Sequence, residues 1–122
     1  MILNRFVEKE VVASEEPIFT ILGPNSDGVT IFIENKSNIN YINYRFQSSE
    51  TNISDDYMNI QETSGSYGVN GILAPFEKAM VSIRITSPFI RLLASSSGGS
   101  YINCSITQFV NTNSSYYTNG VQ

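Results

Sequence analysis

Apolar and polar residues alternate through most of the chain with a period of two, the period of half-buried β-strands. Gly28 to Asn35 sets Val29, Ile31 and Ile33 on one face and Thr30, Phe32 and Glu34 on the other. Tyr41 to Ser48 repeats the pattern, with Ile42, Tyr44 and Phe46 against Asn43, Arg45 and Gln47. Only the polar break Asn35-Lys36-Ser37-Asn38 falls between them, so the two strands are expected to be sheet neighbours. Lys78 to Thr86 opposes Val81, Ile83 and Ile85 to Met80, Ser82 and Arg84, and Ser87-Pro88 ends the run because Pro has no N–H for a ladder. Phe89 to Ser95 and Tyr101 to Val110 alternate likewise, with Ile90, Leu92 and Ala94 on the apolar face of the first and Ile102, Cys104 and Ile106 on that of the second. The turn Ser95 to Ser100 between them, with Gly98-Gly99 at its centre, predicts a C-terminal hairpin.

The remaining segments are less regular. Phe6 to Ala13 and Ile18 to Leu22 read as strands, and Tyr57 to Glu62 as a short one. Gly23 to Gly28 is a turn cluster, and Gly65, Gly68 and Gly71 mark an irregular stretch up to Ala74-Pro75. No segment reads as a helix of useful length. About seven strands with turn signals at intervals of roughly 8 to 12 residues predict an antiparallel sandwich or barrel. The expected organisation is one β domain over 1–110 and a polar tail over 111–122, whose only large apolar groups are Tyr116, Tyr117 and Val121. Such a tail would become ordered against a partner.

Composition narrows the function. Charged residues are only 15% of 122, against roughly 25% in an average soluble domain. Ser, Asn and Thr instead supply 38 residues, so the surface is polar and uncharged. A net charge of −4, with seven scattered Lys and Arg, leaves no basic stripe for nucleic acid or for an anionic membrane. No apolar run approaches the roughly 20 residues of a membrane helix, and the chain meets charge at Arg5 and Glu8, too early for a signal peptide. The absence of His removes the commonest general base and metal ligand, and one Cys cannot build a zinc or iron–sulfur site. No cofactor is expected.

Candidate sites are correspondingly few. Asp55-Asp56 is the one acidic cluster in a loop, but its spacing lacks the ordered oxygen ligands of a calcium site, and a solvated turn is the expectation. A carboxylate pair drawn from Glu34, Glu50, Asp55, Asp56, Glu62 and Glu77 is the remaining route to hydrolysis, and a non-enzymatic protein is expected. Cys104, between Ile102 and Ile106, reads as a small buried hydrophobe. The four Asn-X-Ser triplets, at Asn35, Asn52, Asn103 and Asn113, are expected by chance in so Asn- and Ser-rich a chain. The seven Tyr and seven Phe are the chemistry of a protein interface or a sugar-stacking platform, with Phe32, Tyr41, Tyr57, Tyr67, Tyr116 and Tyr117 as binding candidates. The absence of Trp weakens the glycan alternative.

Two stretches carry a resemblance. Val29 to Ser37 followed by Ile42 to Ser49, with Leu73-Ala74-Pro75-Phe76-Glu77-Lys78 leading into Ala79 to Ile83, resembles the paired-strand and Pro-turn-strand pattern of bacterial and phage immunoglobulin-like modules. Ser87 to Ser95, leading to a small-residue turn and a last strand, is similar to small all-β virion proteins of tailed bacteriophages, such as capsid decoration and head-fibre proteins. Such modules often place Gly where this chain has Phe76. The resemblance implies an all-β, single antiparallel β-sandwich, immunoglobulin-like or jelly-roll-like. It also implies a structural role in a virus particle made in the host cytoplasm, with partners among copies of itself and the major capsid or other virion proteins. In that reading Met1 to Glu8 and residues 111–122 are arms that dock on neighbours. The rival is a module that binds a glycan or a host surface.

Overall fold

The computed structural model describes residues 1–23 and 26–110. Strands are β1 (Ile2–Val11), β2 (Glu16–Leu22), β3 (Ser26–Asn35), β4 (Ile42–Ser49), β5 (Met58–Asn59), β6 (Ser66–Tyr67), β7 (Asn70–Leu73), β8 (Lys78–Arg84), β9 (Phe89–Ser95) and β10 (Ser100–Val110), with a single turn of 3₁₀ helix at Ser54–Asp56. They form two antiparallel sheets. Sheet A runs β1-β10-β3-β8-β6, and sheet B runs β2-β9-β4, with β5 and β7 side by side along the far edge of β4. The seven strands of seven or more residues are the ones the alternation marks, and β5, β6 and β7 add short edge pieces.

Each strand is two-faced as its pattern requires. Val29, Ile31 and Ile33 of β3, Ile42, Tyr44 and Phe46 of β4, Val81 and Ile83 of β8, Ile90, Leu92 and Ala94 of β9, and Ile102, Cys104 and Ile106 of β10 are all buried between the sheets. Phe19 and Tyr44 pack obliquely and edge-on against Phe46, which is fully buried at the centre.

The pairing departs from sequence expectation in three places. β3 and β4 are in opposite sheets, and so are β9 and β10, so neither the 28–48 pair nor the C-terminal hairpin exists. Leaving β5 and β6 aside, the sheets are 1-10-3-8 and 2-9-4-7, and every connection except β4 to β7 crosses from one layer to the other. That is the double Greek key of a jelly roll. The immunoglobulin-like alternative, in which sequential strands pair within a sheet, is thereby overturned. Finally, Met1 to Glu8 is not a free arm. Met1 bonds to Val110, and Ile2 to Glu8 belong to β1, which pairs with β10 along its whole length, from Ile2 opposite Phe109 to Val11 opposite Ser100.

One buried amide holds the crossing loops together. Asn35, fully buried at the end of β3, donates from Nδ2 to the carbonyls of Asn40 (2.7 Å), Leu73 (3.2 Å) and Ala74 (3.2 Å). Its Oδ1 accepts from the Ser37 N–H (2.9 Å) and the Ser100 hydroxyl (2.7 Å). The β7–β8 connection beside it is a tight turn, with Glu77 N–H donating to Ala74 O at 2.9 Å across Pro75-Phe76. Pro in the second position and a positive φ of 61° at Phe76 are the signature of a type II turn, whose third position ordinarily holds Gly. Here Phe takes it under strain.

Two outcomes follow. Asn35→Ala should destabilise the protein by about 3 kcal/mol in urea denaturation, because the Leu73 carbonyl and the Ser100 hydroxyl lose a buried partner. Phe76→Gly should stabilise it by about 1 kcal/mol in the same measurement, since the left-handed backbone becomes unstrained and an exposed ring is all that is given up.

Candidate functional site

The outer faces of the two sheets differ in chemistry. On sheet B a continuous polar chain ties the side chains to one another. Glu15 accepts two bonds from Arg45, Nε to Oε2 at 2.9 Å and Nη2 to Oε1 at 2.5 Å. Arg45 Nη1 and Gln47 Nε2 both donate to Asn59 Oδ1 at 3.0 Å, and Gln47 Oε1 accepts from Arg91 Nε and Nη2 at 3.0 and 2.8 Å. The Arg91 guanidinium lies 3.9 Å above the centre of the Tyr57 ring, and the Tyr57 hydroxyl donates to Asn52 at 2.7 Å. Burial raises the Tyr57 phenol above its ordinary value, and the Arg91 charge draws it part of the way back.

Sheet A carries no such network across its middle. Its register aligns outward residues of four strands in one row: Phe6 opposite Ser105, Ser105 opposite Phe32, and Phe32 opposite Met80. Phe6, Phe32 and Met80 are 63%, 53% and 61% exposed. Tyr67, 58% exposed, stands opposite Ser82 and so flanks Met80. Around this row lie Asn4, Thr30, Ser82 and Thr107, all uncharged, and the charges Glu8, Glu34 and Lys78 are confined to the next row toward one end. Isolated exposed apolar side chains are ordinary on a protein surface, and their alignment across a sheet, broken only by Ser105, makes this row the candidate contact surface.

The sequence candidates are thus divided. Phe32 and Tyr67 fall together on sheet A. Tyr57 is buried beneath Arg91 as part of the sheet B network, because stacking against the guanidinium covers its face, and it is unavailable to a ligand. Tyr41 is exposed just before β4, at the end of the sandwich where the Phe76 N–H donates to Ser37 O, and so lies away from the row. Tyr116 and Tyr117 lie outside the described residues. Phe6 and Met80 escaped sequence reasoning, although each occupies the polar parity of its strand. That is a visible signal, and register alone shows that it lines up with Phe32.

The chemistry-bearing side chains have local roles. Asp55 and Asp56 are exposed in the 3₁₀ turn, with Asp56 accepting from the Thr51 hydroxyl at 2.5 Å. Glu62 accepts from the Gly68 N–H, Glu77 from the Ala74 N–H, and Glu34 faces Lys36 at 3.8 Å. Among the described residues no three acidic or thiol groups are placed to hold a metal, and no helix is long and apolar enough to cross a membrane. Asn35 is buried inside the loop knot, with Lys36 exposed and Ser37 half-buried after it. Cys104 is fully buried, and burial pushes its thiol up to about 12.

No known sequence family and no curated relative matches this chain. Solved structures do resemble it in fold. The Bacillus endospore appendages, described as a family of disulfide-linked pili, superpose with a TM-score of 0.56 at 10% identity over 89% of this chain and 88% of theirs. PirA superposes with a TM-score of 0.57 at 12% identity over 84% of this chain and 92% of its own. The SPBc2 prophage-derived protein YomS gives 0.45 at 12% identity over 86% and 95%. At 10% and 12% identity the likeness to the appendages and to PirA is one of fold alone.

The thiol supplies a direct check on the buried face of β10. Iodoacetamide at pH 8 should leave Cys104 unmodified in the native protein and label it fully in urea, as read by intact mass, because the reactive species is the thiolate.

Proposed function

We propose that this protein is a non-enzymatic structural subunit that acts by associating with copies of itself, and that the outer face of sheet A is its contact surface. The observation that carries the reading is the exposed row Phe6, Phe32, Met80 with Tyr67, flanked by the uncharged row Asn4, Thr107, Thr30, Ser82 on one side and by Glu8, Asn103, Glu34, Lys78 on the other. Covering such a row removes apolar area from water at about 25 cal/mol per Å², and no charge at its centre has to be desolvated. A sequence without His and a buried lone thiol support the non-enzymatic part of the reading.

Support for assembly also comes from the pilus proteins that share the fold. The linkage would differ: those pili are described as disulfide-linked, and this chain has one cysteine, buried in β10. Contacts here would therefore be non-covalent. The finer reading is an auxiliary subunit of a virus particle, bound to capsid or other virion proteins through the sandwich and the 111–122 segment. It is supported by the sequence resemblance to phage decoration and head-fibre proteins.

Light scattering over a range of concentrations tests the reading. The 122-residue chain is expected to show a mass above the 13.5 kDa of one chain, and Phe32→Asp should lower that mass while leaving the far-ultraviolet circular dichroism unchanged. A single-chain mass at every concentration, or a multimer indifferent to Phe32→Asp, would overturn it.

A further inference from the structure

The unpaired side of β1 is defined by its ladder with β10. Met1 and Val110 exchange both backbone bonds, Met1 N to Val110 O at 3.2 Å and Val110 N to Met1 O at 2.9 Å. Bonded and non-bonded pairs alternate along an antiparallel ladder. Leu3, Arg5, Val7, Lys9 and Val11 therefore bond inward to β10, and Ile2, Asn4, Phe6, Glu8 and Glu10 present N–H and C=O groups at the edge. Among the described residues no strand pairs that side.

Other edges are closed by the devices that natural sheets use against stray pairing. β2 contains Pro17, and its carbonyls at Pro17 and Thr20 accept from Lys9 Nζ (2.7 Å) and Arg5 Nη1 (3.1 Å). β5 and β6 are two residues long and β7 four. β1, ten residues long, is the exception.

We propose that a second copy of the chain occupies this edge, β1 against β1, antiparallel about a two-fold axis through Phe6. This rests on the self-association reading above and names the surface through which it begins. Charge and paired length together select the register. Directly opposed residues in an antiparallel pair are both edge-bonding or both not, so only two-fold registers centred on a residue are allowed. Centring on Arg5 opposes Arg5 to itself, on Val7 opposes Arg5 to Lys9, and on Glu8 opposes Glu8 to itself. Centring on Asn4 opposes no like charges but pairs only Ile2 to Phe6 of β1, where centring on Phe6 pairs Ile2 to Glu10. Like charges directly opposite destabilise a pair. Centring on Phe6 places Glu8 opposite Asn4, Glu10 opposite Ile2, Lys9 opposite Leu3 and Arg5 opposite Val7, so no like charges meet. It also joins the two sheets into one, and the row Met80, Phe32, Ser105, Phe6 runs on from Phe6 of the second copy to its Met80.

Cysteine pairing reads this register. Opposed bonded residues have Cα atoms about 5.5 Å apart, within the span of a disulfide. Under mild oxidation Phe6→Cys should give a covalent dimer, and Tyr101→Cys, exposed on β10, should not. Asn4→Cys and Glu8→Cys should cross-link with each other when mixed, and neither with itself. Adding Glu8→Pro to Phe6→Cys removes an edge N–H without touching the β10 ladder, and the dimer should be lost with circular dichroism unchanged. Cross-linking of Phe6→Cys no faster than Tyr101→Cys, or of Asn4→Cys with itself, would overturn the pairing. If light scattering still shows a Phe32-dependent multimer in that case, the assembly reading survives and only its edge contact falls.

Discussion

A single buried amide sets the geometry on which the surface depends. Asn35 cannot be buried unless its polar atoms find partners, since an orphaned amide costs more than most packing defects. It meets that requirement by binding the 37–40 loop, the end of β7 and the start of β10 at once. Fixing Ser100 against Asn35 fixes where β10 enters sheet A, and with it the pairing of Ile102 with Asn35 and of Ser105 with Phe32. A slip of one residue would turn every side chain of β10 to the other face. The row across sheet A is thus a consequence of a polar knot at the end of the sandwich.

The two outer faces then divide the work. On sheet B the long side chains are held to one another, and Arg45 binds Glu15 in the two-pronged geometry that makes an exposed ion pair worth more than the usual fraction of a kcal/mol. A partner docking there would have to displace bonds already made. On sheet A the short polar side chains near the row, Ser82, Ser105 and Thr30, are small and lightly tied, and the apolar ones stand proud of them. Covering that face displaces little but water. The same sequence thereby protects one face and leaves the other ready for contact.

Strand positions and inward faces were legible in the sequence because the period of two is a local property, readable from Val29, Ile31 and Ile33 or from Ile102, Cys104 and Ile106 without knowing any neighbour. Pairing was not legible, because alternation says which face is apolar and nothing about which strand lies alongside. Short polar breaks suggested hairpins at 35–41 and 95–100. In both, the chain instead turns across the sandwich, held by Asn40 Nδ2 to Gly99 O at 2.7 Å, a contact that a Cβ at Gly98 would block. For the same reason Phe32 was legible as an exposed aromatic while its row was not, since Phe6 and Met80 come from strands far apart in sequence. Tyr57 misled because a tyrosine among polar residues looks exposed until Arg91, thirty-four positions later, is found over its ring.

The treatment of edges carries the last step. A jelly roll has two open-edged sheets, and each exposed edge invites pairing by backbone bonds that any strand can supply. This chain uses Arg5 and Lys9, both on the inward-bonding parity of β1, to cover the carbonyls of β2. Those cations are thereby drawn over sheet B and away from the free side of β1. What remains along that side is a neutral half, Ile2, Asn4 and Phe6, and an acidic half, Glu8 and Glu10. An edge divided in this way disfavours a parallel copy, which in register would set acid against acid, and accommodates an antiparallel one. Closing one edge and biasing the other are therefore achieved by the two parities of one strand, β1, with Phe6 at the point where edge and apolar row meet.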